Sequence, residues 1–94
     1  MPEVRIKVKF FAYFREIFGG REKGLVLPEG STVGDLLDNV CDTAKRRSEV
    51  FNGPKLQPLV IAMKNGTSVQ SLDGLKTSLE DGDVIALFPF VGGG

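Results

Sequence analysis

Two stretches near the start of the chain alternate apolar and polar side chains, which is the period of a β-strand with one buried face. The first runs from Glu3 to Ala12 and the second from Lys23 to Leu27. Residues 12–18 lie between them and end at a pair of glycines, which predicts one or two helical turns or a loop. We expect the two strands to pair with each other as a hairpin-like unit.

A stretch with helical spacing follows the second strand. Apolar side chains recur three and four positions apart from Val33 to Ala44, which is typical of a helix with one apolar face. Ser31 or Thr32 is the predicted N-cap, and the basic residues 45–47 suit the negative C-terminal end of the helix dipole. The pattern therefore predicts one main helix, whose apolar stripe packs against the sheet.

The middle of the chain changes back to strand patterns. Residues 48–58 contain one glycine and two prolines and are expected to form an irregular connection. Residues 59–64 predict a third strand, and Asn65-Gly66 is a strong hairpin-turn signal that leads to a short strand near residues 68–70. This part of the chain is expected to add a hairpin to the sheet.

The last predicted strand is the most apolar one. A helical turn is expected around residues 75–79, and Asp81-Gly82-Asp83 then turns the chain into a strand from Val84 to Phe88, which Pro89 ends. The order of elements predicts an α+β fold with a mixed sheet of four to five strands packed on one main helix. The first strand is expected to be central, because the last strand needs a buried partner.

Composition narrows the possible partners. Apolar residues make up 41% of the 94 residues and charged residues 26%, which is typical of one ordinary globular domain. Twelve basic side chains balance twelve acidic ones, so the chain lacks the excess of positive charge that drives binding to phosphate backbones. With neither a long apolar run nor a signal-peptide pattern, we expect a cytoplasmic protein that binds neither nucleic acid nor membrane.

The residue types also exclude most side-chain chemistry. The chain has no histidine and a single cysteine, Cys41, so a zinc site, a Ser–His or Cys–His pair and a disulfide framework have no basis in the sequence. Cys41 falls on the apolar stripe of the predicted helix and is interpreted as a buried core residue. We therefore predict neither a catalytic side chain nor a metal site.

The end of the sequence is the one segment with distinctive chemistry. After Pro89 the chain reads Phe90-Val91 and then three glycines, ending at Gly94. Composition alone is equally consistent with a disordered end that has no role. An activated glycine acyl carbon, however, has no Cβ to hinder an incoming thiol, sulfide or amine, and a tail without side chains can enter a narrow channel in a partner.

Four segments carry a resemblance to a known family. They are Val4–Phe10, Ser31–Leu37, the Asn65-Gly66 turn and, most specifically, Asp81–Val91 before the glycines. Together they resemble the ubiquitin-like β-grasp sulfur carriers, which include the small subunit of molybdopterin synthase and the archaeal small modifier proteins. The resemblance implies a β-grasp domain over residues 1–89 and a flexible tail over residues 90–94.

The resemblance also implies a function for the tail. Gly93 and Gly94 would carry the chemistry, with Gly94 activated by an E1-like adenylating enzyme that uses ATP, while the chain itself binds no cofactor and is not an enzyme on its own. The activated end would become a thiocarboxylate that delivers sulfur for molybdopterin biosynthesis, beside the large subunit of molybdopterin synthase. Alternatively, or in addition, it would form an isopeptide bond with lysines of target proteins, and a passive interaction module is a third hypothesis.

The surface beside the tail is the candidate partner-binding site. If Ile85 and Leu87 point into the core, Ala86 and Phe88 lie on the opposite face of the sheet, where Phe11 can join them. Contact with a partner and simple packing both explain these side chains. The full predicted partner-binding set is Phe11, Ala86, Phe88, Pro89, Phe90, Val91 and Gly92.

Overall fold

The computed structural model describes residues 2–89. The larger elements are an eight-residue first strand, a mixed sheet built around it and two helices of similar length. In chain order they are β1 (Glu3–Phe10), α1 (Phe14–Ile17), β2 (Glu22–Pro28), α2 (Val33–Val40), α3 (Ala44–Val50), β3 (Phe51–Asn52), β4 (Lys55–Leu56), β5 (Ile61–Lys64), β6 (Thr67–Ser68) and β7 (Val84–Phe88). Short 3-10 turns occupy Val69–Ser71 and Gly74–Lys76.

Five strands form one mixed sheet in the order β2-β1-β7-β5-β6. β1 pairs antiparallel with β2 and parallel with β7, and β5 pairs antiparallel with both β7 and β6. The α+β prediction, the pairing of the first two strands and the Asn65-Gly66 hairpin are confirmed. β1 has a strand on each side, but the middle strand is β7, because β7 lies between β1 and β5.

The core lies between the sheet and α2. Every second residue of β1 is buried, and so are Ile85 and Leu87 of β7, each with no exposed surface. α2 contributes its buried face, which consists of Val33, Leu36, Leu37 and Val40. Burial of these side chains supplies most of the driving force for folding, and it fixes which face of each strand remains outside.

The predicted main helix is two helices, so its expected extent to Ala44 was wrong. α2 begins at Val33 after the N-cap Thr32, whose side chain forms a capping box with that of Asp35, and it ends at Val40 because Cys41 takes a non-helical conformation. Thr43 then caps α3 by accepting a hydrogen bond from the backbone of Arg46. The basic residues 45–47 therefore lie at the start of α3 rather than at the end of a long helix.

The region expected to be irregular is partly ordered. α3 continues to Val50, and residues 51–56 form a small hairpin in which β3 pairs with β4. None of the helices within residues 2–89 is long and apolar enough to cross a membrane. The described part of the chain is thus a helix-covered sheet whose second face carries no helix.

Candidate functional site

A network of polar side chains fixes the start of β7. The carboxylate of Asp83 accepts hydrogen bonds from the side-chain amide of Asn65 at 2.8 Å and from the backbone N–H of Glu80 at 2.8 Å. The Nζ of Lys64 lies 3.5 Å from the same carboxylate, and the Asn65 side-chain oxygen accepts from the backbone of Val84 at 2.9 Å. Through these contacts the β5–β6 turn holds the first residue of β7 in place.

The two residues before Asp83 attach the turn that precedes β7 to β1. Asp81 accepts a hydrogen bond from the backbone N–H of Arg5 at 2.7 Å, and the N–H of Gly82 donates to the carbonyl of Arg5 at 2.8 Å. Gly82 has a φ of +90°, a conformation that side chains disfavour. The Asp81-Gly82-Asp83 segment, which the sequence singled out, therefore serves as the anchor that inserts β7 between β1 and β5.

The charge of Asp83 is maintained although the residue is buried. Burial acts to raise the pKa of the Asp83 carboxyl, but hydrogen bonds from Glu80 and Asn65 and the nearby ammonium of Lys64 outweigh it and hold the pKa below its usual value. The carboxylate is thus a structural anion that stabilises the turn in its ionised form.

At the other end of β7, two aromatic rings stack on the open face of the sheet. The ring centroids of Phe11 and Phe88 are 4.3 Å apart with 12° between the planes. The backbone N–H of Phe11 donates to the carbonyl of Leu87 at 3.2 Å, which extends the β1–β7 pairing by one residue. Ala12 follows with a positive φ of 52° and turns the chain away from the sheet.

Strand pairing extends the stacked rings into an apolar patch. Phe88 lies opposite Ile61, and Ala86 lies opposite Met63, in the antiparallel β5–β7 ladder. Ile61 is 44% exposed, and Met63, Ala86 and both rings are partly exposed. We call these five residues, Phe11, Ile61, Met63, Ala86 and Phe88, the apolar patch. An exposed cluster of this composition is typical of a surface that binds another protein.

Two cations border the apolar patch. The guanidinium carbon of Arg15 lies 5.5 Å from the centre of the Phe11 ring, and its Nε donates to the carbonyl of Phe10 at 3.0 Å. Lys9 is exposed and lies beside Ala86 in the parallel β1–β7 ladder. The patch therefore favours a partner face that is apolar at its centre and acidic at its margin.

The structure brings together three of the predicted partner-binding residues, Phe11, Ala86 and Phe88. Pro89, which was also predicted, is buried at the end of β7. The predicted partner-binding residues Phe90, Val91 and Gly92 and the predicted activation sites Gly93 and Gly94 lie outside the described residues.

Three residues of the site were not foreseen from the sequence. Ile61 and Met63 join the patch only because β5 pairs with β7 in the observed register, which alternation within one strand does not specify. Arg15 lies over Phe11 after the turn at Ala12, whose positive φ no pattern in the sequence indicates. The alternation of Ile61 with Val60 and Ala62, which are buried, indicates that Ile61 faces outward. It does not indicate which strand lies beside Ile61.

Cys41 and the acidic side chains are further residues with candidate chemistry. Cys41 is buried as predicted, and burial raises the pKa of its thiol to about 11, which keeps it protonated at neutral pH. Within residues 2–89, no three Cys, Asp or Glu side chains are grouped so as to hold a metal ion. Because β7 ends at the apolar patch, the chain passes from this surface directly into residues 90–94.

Comparison with known proteins shows the family. A sequence profile of the ThiS family matches residues 8–94. Small archaeal modifier protein 3 of Haloferax volcanii is 34% identical over 92 residues, which cover 97% of this chain and 100% of that protein.

Solved structures give the same result for the fold. The solution structure of small archaeal modifier protein 1 from Methanosarcina acetivorans is 30% identical, with a TM-score of 0.81 and 100% of both chains covered. A Pyrococcus furiosus protein proposed to be subunit 1 of a molybdopterin converting factor is 35% identical, with a TM-score of 0.75 over 94% of this chain and 99% of that one. The fold is thus the ubiquitin-like β-grasp fold, and the chain belongs to the ThiS family of ubiquitin-like sulfur carriers and small modifiers.

Proposed function

We propose that the chain is a ubiquitin-like carrier whose reactive group is the carboxylate of Gly94. An E1-like adenylating enzyme binds the apolar patch and joins the carboxylate to AMP, with release of pyrophosphate from ATP. A sulfide-level donor then displaces AMP and leaves a thiocarboxylate, which supplies sulfur for molybdopterin biosynthesis in a complex with the large subunit of molybdopterin synthase. The chain is the substrate of these enzymes and catalyses no step itself.

One observation carries this proposal. β7 is held between β1 and β5 and ends at Phe88, within the apolar patch. A partner that covers the patch therefore receives residues 90–94 at the edge of its own binding surface. The family match, which extends through residue 94, supports the assignment of the chemistry to Gly93 and Gly94.

Intact-mass spectrometry tests the carrier function. The full chain is incubated with an E1-like enzyme from the same cells, ATP and sulfide, and we expect the mass increase that corresponds to one sulfur replacing one oxygen. Deletion of Gly93 and Gly94 should abolish the change. An unmodified mass together with full complementation by the deletion variant in cells would contradict the proposal.

The similarity to small archaeal modifier protein 3 favours a second function, protein modification. In this case a lysine amine of a target protein displaces AMP from the activated Gly94 and forms an isopeptide bond. Chymotryptic digestion of proteins from cells that express the chain, with cleavage after Phe90, should then yield lysines that carry Val91 and the three glycines. If such peptides are absent while the thiocarboxylate is found, the carrier function alone remains.

A further inference from the structure

β2 forms one edge of the five-stranded sheet and pairs only on its β1 side among the described residues. The N–H of Phe10 donates to the carbonyl of Arg21 at 2.8 Å. In an antiparallel ladder every second residue of a strand hydrogen-bonds to its partner, so this bond fixes which residues of β2 face β1 with their backbone groups. By this alternation Leu25 directs its backbone groups toward β1, whereas Gly24 and Val26 direct theirs outward. Consecutive outward N–H and C=O groups are the means by which a sheet edge binds another strand.

The same two residues border a groove on the open face of the sheet. The groove has a volume of about 440 Å³ and is lined by residues of β1, β2 and the start of β7, among them Arg5, Lys7, Gly24, Val26, Val84 and the buried Asp83. A Cβ placed on Gly24 would have no neighbouring heavy atom within 4 Å, and Val26 is 55% exposed. Gly24 thus leaves a gap in the row of side chains directly beside unpaired backbone.

Two cations stand at the walls of this groove. Arg5 lies opposite Val26, and Lys7 lies opposite Gly24, in the β1–β2 ladder. The Arg5 side chain is 80% exposed, and its Nε lies 3.7 Å from a carboxylate oxygen of Asp81. The Lys7 side chain is 50% exposed, and its Nζ lies 3.6 Å from a carboxylate oxygen of Glu22. Exposed ion pairs of this length contribute little stability, so a carboxylate of a bound ligand can take over either cation at small cost.

We propose that the β2 edge binds an extended, acidic segment of a partner protein, which adds to the sheet as a sixth strand. Its backbone pairs with Gly24 and Val26, an aromatic side chain covers Gly24, and carboxylates lie near Arg5 and Lys7. An aromatic ring suits this place because the groove is lined by carbon and because a ring opposite a strand glycine shields exposed backbone. Main-chain pairing supplies affinity, and the groove supplies selectivity.

The groove and the apolar patch occupy different ends of the open face of the sheet, and they come nearest at Val84 and Ala86, two residues apart in β7. The groove adjoins Val84 at the start of β7, whereas the apolar patch includes Phe88 at its end. Strand addition at β2 involves no step at Gly94 and requires no residue of the apolar patch. The inference therefore holds or fails independently of the proposed function.

An NMR titration of the isotopically labelled full chain tests the inference. The probe is a capped seven-residue peptide with alternating valines, a central phenylalanine and two aspartates. We expect saturable shifts and slowed amide exchange at Gly24 and Val26. The variant Gly24→Val places a branched side chain at a position where a Cβ has open space, and it should weaken binding at least about tenfold because it occupies the gap in the groove. Thr67→Val on the opposite sheet edge is the matched control and should bind like the unchanged chain.

Three altered peptides test the stated chemistry. Binding should fall when alternate peptide nitrogens are methylated, when phenylalanine becomes alanine and when the aspartates become lysines. Equal binding by the methylated peptide, or shifts centred on the apolar patch, would overturn strand addition at β2. Absence of saturable shifts at millimolar peptide would also overturn it, and so would a concentration-dependent dimer of the chain that protects the Gly24 and Val26 amides.

Discussion

Asp83 shows how a single residue prepares the site without belonging to it. Its carboxylate joins the β5–β6 turn to the start of β7 through Asn65 and Lys64, and Gly82 allows the turn that brings it there. Motifs such as Asp81-Gly82-Asp83 are readily assigned a function because they are distinctive. Here the contacts give the motif a structural role, which is to position the strand that leads to the tail.

The first prediction concerns Asp83. Replacement by Asn keeps the size but removes the charge and places a donor where an acceptor is needed, so Asp83→Asn should cost about 1–3 kcal/mol at pH 7. Because the folded-state pKa is lowered, the ionised carboxylate stabilises the fold above the ordinary aspartate pKa of about 4, and this contribution is lost as the pH falls from there through the lower folded value. The variant should therefore show a smaller loss of stability on acidification.

Urea unfolding at several pH values between 7 and 2 measures this effect. The same replacement at exposed Asp73 is the control, and it should leave both the stability and its pH dependence nearly unchanged. Parallel pH profiles of the unchanged chain and Asp83→Asn would contradict the assigned role of the charge.

The second prediction concerns Gly82. Its φ of +90° is unfavourable for any residue with a Cβ, so Gly82→Ala should destabilise the chain by about 1–2 kcal/mol. Gly24→Ala is the matched control, because Gly24 has no positive φ and open space around it. Thermal unfolding of both variants compares them, and an equal change in Tm would show that backbone conformation is not the cause.

At the level of elements, the break between α2 and α3 determines how the helices cover the sheet. Arg46 pairs with Asp42 at 2.7 Å and donates from Nε to the carbonyl of Ile17 at 2.9 Å, which ties α3 to α1. Arg47 pairs with Asp38 at 2.7 Å, which ties α3 to α2. A single continuous helix would not place Arg46 beside α1 and Arg47 beside Asp38 of α2.

The third prediction tests the cap that starts α3. Thr43→Ala removes the hydroxyl that accepts from the N–H of Arg46, and we expect a loss of about 1 kcal/mol in the free energy of unfolding. Thr43→Ser retains the hydroxyl and should cost only a few tenths of that value. Urea unfolding measures both, and an equal loss in the two variants would indicate that the methyl group rather than the cap matters.

The sequence predicts the strands better than the helices, for physical reasons. β7 was predicted with its observed bounds, because five apolar residues between an Asp-Gly turn and a proline leave one interpretation. The end of α2 was missed because Cys41 and Ala44 continue the helical spacing, while Thr43 caps a new helix only in the folded geometry. Three of the five patch residues were predicted, and Ile61 and Met63 were missed because they depend on a register that no local pattern contains.

At the scale of the whole molecule, helices cover one face of the sheet, and the other face carries no helix within residues 2–89. The fourth prediction rests on the proposed function: Phe11→Ala should weaken binding to the proposed E1-like enzyme by about 2 kcal/mol, or roughly 30-fold, because a stacked aromatic at the centre of an interface is a typical hot spot. The free energy of unfolding should change much less than this, since the ring is partly exposed.

Isothermal titration calorimetry with the adenylating enzyme measures the affinity, and adenylation kinetics should show the loss mainly in KM. Leu72→Ala is the control, because Leu72 is 44% exposed but lies outside the apolar patch. If both variants bind as tightly as the unchanged chain, the patch is not the enzyme's binding surface.

The parallel pairing of β1 and β7 has a mechanical consequence. Lys7 to Phe10 run side by side with Val84 to Leu87 in the same direction, so a pull on the two chain ends loads the ladder between them in shear. Its hydrogen bonds must then break together rather than one after another. A chain attached to a cargo through its C-terminus should consequently resist traction by an unfolding motor more strongly than its modest size suggests, and single-molecule stretching would reveal this as a high rupture force.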